Sequence, residues 1–277
     1  MISFEVFPPK NDSQQLVLES SLDKLVRTQP EYISVTFGAG GSTLTRTRDT
    51  VLYIQRKWSL EPVPHISCMA PDEASLVDLL DTYQQAGIKR LVVLRGDVAD
   101  EQTQNGPFRY ASELVAFIRQ KYGQHFHIEV ACYPEFHPES ISPDSELHYL
   151  KQKIDAGADS AITQYFFSIE AYFRFLDDCQ RLGIETTITP GIMPITNYTQ
   201  LARFSTMCGA EIPMWLRKRL VGFGDDGASI RAFGEQVVSK LCQQLLDSGA
   251  PGLHFYTLNR ANATLKILRN IQFPQKR

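Results

Sequence analysis

The sequence has no long apolar run, no block of one charge and no paired cysteines, and each absence removes a class of protein. Its longest apolar stretches are strand-sized, too short to span a bilayer. The N-terminus runs straight into Ile2-Ser-Phe-Glu-Val-Phe7 without the basic and apolar segments of a signal peptide. The net charge is −3 over 277 residues with no basic cluster, so nucleic acid is not an expected partner. Five cysteines stand far apart with no C-x-x-C pair, which removes zinc spacing and a disulfide framework and points to a reducing, cytoplasmic compartment. A dinucleotide fingerprint G-x-G-x-x-G is missing, as is a G-x-S-x-G nucleophile elbow. No Pro/Gly/Ser-rich linker divides the chain, so residues 1–277 read as a single domain.

What is present is an alternation. Short apolar strands at Ile2–Phe7, Tyr32–Phe37, Val63–Cys68, Arg90–Arg95, His127–Tyr133, Ser160–Phe167, Thr186–Pro190 and Leu253–Leu258 are each followed by a segment with helical spacing of leucine, isoleucine and valine. After the seventh strand three helical segments intervene, Tyr198–Met207, Met214–Val221 and Ile230–Leu246. Eight strand–helix repeats predict an α/β fold, a (β/α)8 TIM barrel. A doubly wound open sheet is the alternative; it needs fewer strands, and its fingerprint is missing.

Barrel strands are covered on both sides, yet several of these alternate polar with apolar residues. Ser3, Glu5 and Phe7 share one face, as do Tyr32, Ser34 and Thr36, His65 and Ser67, Ile162, Gln164 and Phe166, and His254 and Tyr256. Period-two geometry puts this set inside the barrel. Barrel interiors are usually aliphatic, so the polar set predicts a site at the C-terminal mouth. The residues there are few in charge and rich in aromatics. No lysine stands at a strand end for a Schiff base. The triplet Glu135-Phe-His137-Pro-Glu139 reads as a hydrogen-bonded loop rather than a metal centre, so no metal is expected. A large planar ligand held by hydrogen bonds and stacking suits what remains. Leu91-Val-Val-Leu-Arg-Gly-Asp97, a buried strand ending on two opposite charges around a glycine, is one wall of that mouth.

Eight segments in order resemble the methylenetetrahydrofolate reductase family in its compact bacterial form. They are Ser3–Pro9, Ser34-Val-Thr36, Pro64-His65, Leu94–Asp97, Tyr133–Glu139, Ala161–Gln164, Pro190–Pro194 and His254–Arg260. The resemblance implies FAD as cofactor and a reduced nicotinamide as hydride donor, NADH or NADPH with NADH favoured. It also implies reduction of 5,10-methylenetetrahydrofolate to the 5-methyl form that supplies methionine synthesis, by a ping-pong scheme. By matching position, Glu5 is the expected general acid and Asp97 the carboxylate near both flavin and pterin. Thr36, Phe37, Ala39, His65, Arg95, Gly96, Ala111, Tyr133, His137, Ser140, Glu146, Tyr149 and Lys153 are expected around FAD, and Gln164, Gln200, Phe204, Tyr256 and Arg260 around the folate. The departures from the family pattern, Phe37, Ser140, Glu146, Tyr149 and Gln152, concentrate where adenosine would be held. The resemblance leaves the oligomeric state open. A folate methyltransferase without flavin and a non-catalytic folate- or flavin-binding protein are the competing readings; intact Glu5, Asp97 and Gln164 weigh against the second.

Overall fold

The computed structural model describes residues 1–37, 42–96 and 106–273. Its strands are β1 (Ile2–Val6), β2 (Tyr32–Val35), β3 (Pro62–Ser67), β4 (Arg90–Leu94), β5 (His127–Cys132), β6 (Ser160–Thr163), β7 (Thr187–Thr189), β8 (Gly191–Ile192) and β9 (Leu253–Tyr256). The helices between and after them are α1 (Asp12–Leu25), α2 (Ser42–Trp58), α3 (Glu73–Gln85), α4 (Ala111–Tyr122), α5 (Pro143–Asp155), α6 (Ile169–Arg181), α7 (Tyr198–Cys208), α8 (Met214–Gly222), α9 (Gly227–Asp247) and α10 (Ala261–Asn270). Several start where a short polar side chain takes over an orphan backbone N–H. Asn11, Asp72, Ser142, Ser168 and Asn197 each accept from the residue three positions on.

All the ladders are parallel, in the order β7-β6-β5-β4-β3-β2-β1-β9-β8. The two ends of that order, β7 and β8, are separated in sequence by Pro190 alone. Proline has no N–H to give to a ladder, so the expected seventh strand is broken in two. Its first half pairs with β6 and its second with β9, and the sheet closes around the gap. Nine ladder segments therefore make the eight positions of a TIM-barrel-like fold.

Two apolar layers hold the barrel. The outer one, between strands and helices, includes Phe4, Val6, Ile33, Val35, Ile66, Leu91, Val93, Ile128, Val130, Leu253 and Phe255. A smaller plug of Tyr32, Val63, Val92 and Ile162 fills the inside. Each such side chain contributes about 1.5–3 kcal/mol on burial. The remaining interior is polar, as the alternation predicts. Ser3 Oγ lies 2.7 Å from His254 Nδ1. The buried Glu129 carboxylate accepts from Ser160 at 3.1 Å and faces Arg90 at 3.5 Å. The Arg90 guanidinium also sits 4.8 Å over the Tyr32 ring.

The expected strands extend too far at their C-terminal ends. β1 stops at Val6, β2 at Val35, β4 at Leu94, β5 at Cys132 and β6 at Thr163. Beyond those points the chain has left the ladder and the two-residue alternation lapses. Phe7 is exposed rather than interior. Phe166, expected inside, stacks instead on Tyr172 of α6 with ring centroids 5.5 Å apart.

Candidate active site

The central feature is Glu5, on the inner face of β1 one residue before the strand ends. Its neighbours across the ladders are Ser34 of β2 and Tyr256 of β9. Glu5 Oε2 lies 3.5 Å from Nε2 of His65 on β3; their side chains are 13% and 6% exposed. Both are thus enclosed, with a narrow opening to the mouth. Burial pushes the Glu5 carboxyl up from its ordinary value to about 8 and the His65 imidazole down to about 3. At neutral pH the pair is therefore a protonated acid beside an uncharged ring, not an ion pair. Among the described residues, His65 Nε2 and the nearby Ser34 Oγ have no protein hydrogen-bond partner.

The wall opposite is fixed through Thr163. Its carbonyl oxygen accepts from the Tyr256 hydroxyl at 2.6 Å, and its Oγ1 accepts from Gly191 N–H at 2.9 Å. These two bonds bridge the break at Pro190. A β-carbon at Gly191 would overlap the Thr163 carbonyl and the Tyr256 ring, so only glycine fits. Burial first, then the nearby Glu5 carboxyl, holds the Tyr256 phenol well above its usual range. Gln164 follows β6 directly, and its Oε1 accepts the Tyr165 N–H at 3.0 Å.

Asn259 was not anticipated as a site residue. After β9 both Leu258 and Asn259 take left-handed backbone angles, with φ of 51° and 57°. Such angles are costly for a residue with a side chain, and least so for asparagine. The Asn259 amide then clamps Phe7 from both sides, accepting its N–H at 2.7 Å and donating to its carbonyl at 2.9 Å. Thr257 Oγ1 donates to the Glu5 carbonyl at 2.6 Å. The end of β1, and with it Glu5, is tied to β9 by side chains rather than by ladder bonds alone. Asparagine's tolerance of the left-handed region was the only sequence signal.

The residues expected around a flavin gather beyond β3, β4 and β5. Gly96 has φ +89°, and a β-carbon there would overlap the Ser67 hydroxyl and the Met69 side chain. Arg95 is held by Glu139 at 2.6 Å. The Tyr133 and His137 rings meet edge to face at 4.9 Å. Lys153 reaches in from α5 to donate to the Ala131 carbonyl at 2.5 Å, and burial lowers its pKa. Ser140 donates to the Glu146 carboxylate. Tyr149 is 40% exposed, and Ala111 opens α4. Thr36 and Phe37, just past β2, are half-buried. Two of the expected residues, Ala39 and Asp97, lie outside the described residues. On the folate side, Gln200 and Phe204 are half-buried on α7, and Arg260 is exposed at the N-terminus of α10. In the Glu135-Phe-His137-Pro-Glu139 loop, Glu135 accepts the Glu211 N–H at 2.6 Å and His137 accepts the Glu139 N–H at 3.1 Å. Glu135 and Glu139 are thus engaged by groups outside the loop, Glu211 N–H and Arg95, and His137 by the loop's own backbone.

Comparison with known proteins bears on this arrangement over nearly its whole length. The family model described as methylenetetrahydrofolate reductase matches residues 1–272. The 5,10-methylenetetrahydrofolate reductase of Escherichia coli (strain K12) is 37% identical over 270 residues, 98% of this chain and 90% of that protein. That of Pectobacterium carotovorum is equally similar, at 37% over 98% of this chain and 89% of its own length. Methylenetetrahydrofolate reductase (NADH) 1 of Arabidopsis thaliana is 36% identical over 97% of this chain, which spans 48% of that longer protein. Among solved structures, a Clostridium thermocellum protein described as binding two copies of 5-methyl-5,6,7,8-tetrahydrofolic acid superposes with a TM-score of 0.62 at 16% identity. The match covers 98% of this chain and 93% of that one. A thermostable aldo-keto reductase gives 0.55 at 12% identity, covering 99% and 91%. At those identities the likeness is one of fold alone.

Proposed function

The chain belongs to the methylenetetrahydrofolate reductase family, and from that premise we propose how its own residues carry out the reaction. The activity is reduction of 5,10-methylenetetrahydrofolate to 5-methyltetrahydrofolate. The observation that carries the reading is the enclosed pair of Glu5 and His65 in the barrel mouth, 3.5 Å apart, where burial raises the carboxyl pKa and lowers that of the imidazole.

The cofactor is FAD. The donors present fit it: a buried imidazole and hydroxyl lacking protein partners, and cations at Arg95 and Lys153 suited to a diphosphate. Arg95 would share its charge between Glu139 and that diphosphate. When bound, the flavin supplies the two-electron relay between a reduced nicotinamide and the folate. NADH is the favoured donor, in keeping with the name of the Arabidopsis relative.

Glu5 supplies the proton. Opening the five-membered ring of the substrate breaks a carbon–nitrogen bond, and the nitrogen leaves more easily once protonated. Glu5 gives that nitrogen its proton, leaving an iminium carbon ready for hydride and a carboxylate that is later reprotonated from the mouth. A positioned acid of this kind contributes about 10² to 10⁴ in rate. His65 is too weak a base at neutral pH to take the proton first. Tyr256, locked to Thr163, walls the pocket beside Glu5. Gln164, Gln200, Phe204 and Arg260 hold the folate, Arg260 meeting the carboxylates of its tail. Asp97 keeps the role at the pterin that the family likeness assigns to it.

No helix among the described residues is long and apolar enough to cross a membrane. A cytoplasmic location fits the five unpaired cysteines. The direct test is the chromophore: the purified protein should be yellow and release FAD, identified by chromatography, on denaturation. Release of FMN, or no flavin uptake on reconstitution, would overturn the cofactor assignment.

A further inference from the structure

Helix α7 carries two of the residues given to the folate, Gln200 and Phe204, and it is lightly anchored. Of its 11 residues only Leu201 and Ser205 are buried. A helix with so little buried surface depends on specific contacts to hold its place. One of these is the Ser205 hydroxyl, 3.0 Å from that of Tyr165, both residues being buried. Tyr165 follows Gln164 directly and meets the Tyr256 ring edge to face, with centroids 6.5 Å apart. Tyr256 in turn pairs with Glu5 across the β1–β9 ladder. Helix α7 is thus joined to the wall of the Glu5 pocket.

Two more contacts tie the end of α7 to the loop after β5. The helix is capped by Gly209, with φ +77°. A β-carbon there would fall 2.2 Å from the Phe136 carbonyl oxygen, so backbone meets backbone at this point. Two residues on, the Glu211 N–H donates to the Glu135 carboxyl at 2.6 Å. Glu135 is half-buried and shares its loop with Tyr133 and His137, both expected at the flavin. Burial raises its pKa to about 7; the Glu211 N–H and Arg174 oppose that rise and the Glu211 carboxylate adds to it. At neutral pH a neutral acceptor is therefore a fair stand-in for this carboxyl.

Resting on the folate reading above, we propose that Glu135 is a positioning residue for the folate. It docks the C-terminal end of α7 on the flavin-side loop and so sets where Gln200 and Phe204 stand. Folate meets both side chains in full only while α7 is docked, so its apparent affinity scales with the docked fraction. Losing one hydrogen bond of this kind shifts such a balance by a factor of roughly 3 to 10. The loop itself is held separately, by the Tyr133–His137 contact and the Arg95–Glu139 pair. The flavin side therefore keeps its place when the link to α7 is cut, and the cost falls on the folate alone.

The test follows reoxidation of the reduced holoenzyme by 5,10-methylenetetrahydrofolate over a range of folate concentrations, in the wild type, Glu135→Gln and Glu135→Ala. FAD Kd is measured alongside, by the change in flavin fluorescence on rebinding to apoprotein. Glu135→Ala should raise the folate concentration giving half the limiting rate by about 3- to 10-fold, with the limiting rate and FAD Kd unchanged. Glu135→Gln still offers an oxygen to the Glu211 N–H and should stay within about twofold of the wild type. If the alanine variant does not fold, Tyr165→Phe decides, because it removes only the hydroxyl that holds α7 at Ser205; it should raise the same concentration by a similar factor. An unchanged folate dependence, or a limiting rate or FAD Kd that shifts as much as the folate dependence does, would overturn the inference. A wild-type flavin that the folate does not reoxidise would strike the reductase reading instead.

Discussion

Replacing Glu5 by Gln should make the folded apoprotein more stable at high pH, and by an amount that the structure sets. In the folded protein burial raises the Glu5 pKa to about 8, against 4.5 when free. Below pH 4.5 both states hold the proton and Glu5 makes no pH-dependent contribution. Between 4.5 and 8 the unfolded chain gives the proton up while the folded protein keeps it. Stability therefore falls as pH rises, by about 1.4 kcal/mol per unit, and the penalty is complete above pH 8. The ceiling over this window is about 5 kcal/mol; the exposed edge of the side chain reduces it to about 2–4 kcal/mol. Glutamine has the same shape and no proton to lose. His65 does not titrate in this range, and Glu129 and Glu135, whose pKa values burial also raises, cancel between the two proteins. Urea unfolding of both apoproteins from pH 5 to 9 measures the difference. It should be small at pH 5 and reach its full value near pH 9, with the variant the more stable. A difference that does not change with pH would mean that Glu5 is ionised in the fold and has no proton to donate at neutral pH.

Two further outcomes test the barrel closure and the β1 clamp. Gly191→Ala drives a β-carbon into the Thr163 carbonyl and the Tyr256 ring; it should cost at least about 1–3 kcal/mol, read by urea unfolding, and an unchanged stability would mean that the break at Pro190 is slack. Asn259→Gly keeps the left-handed backbone but loses both bonds to Phe7, whereas Asn259→Ala loses the bonds and adds strain. Each bond is worth about 0.5–1.5 kcal/mol, so the glycine variant should be the more stable of the two while both slow folate reduction; alanine matching glycine would show that φ 57° carries no strain there.

Much of this was legible in the sequence because two periodicities are hard to imitate. Strand starts and helix positions follow from the alternation, and Glu5 stands out because a carboxylate inside a barrel strand has few bland explanations. Strand ends were less legible: Phe7, Phe37, Tyr133 and Phe166 continue a pattern that the backbone has already abandoned. Phe166 in particular is captured by Tyr172, a contact that no local signal encodes. Pro190 was visible as a residue but not as a break, since its effect depends on two neighbouring strands pairing to either side. The polar layer of Arg90, Glu129 and Ser160 was missed because only the C-terminal ends of the strands were read for chemistry. Asn259 was missed because its partner, Phe7, is 252 positions away. Conversely, Lys153 is legible only as an ordinary helix charge; its burial against the Ala131 carbonyl is tertiary.

The role given to Glu5 is tested most directly by following the flavin absorbance of Glu5→Gln by stopped flow in the two half-reactions separately. Delivery of hydride from the nicotinamide needs no proton from Glu5, so bleaching by NADH should proceed at nearly the wild-type rate. Reoxidation by 5,10-methylenetetrahydrofolate needs the ring nitrogen protonated, so it should be slower by about 10² to 10⁴. Equal slowing of both halves would make Glu5 a positioning residue, and reoxidation at the wild-type rate would remove it from the chemistry altogether.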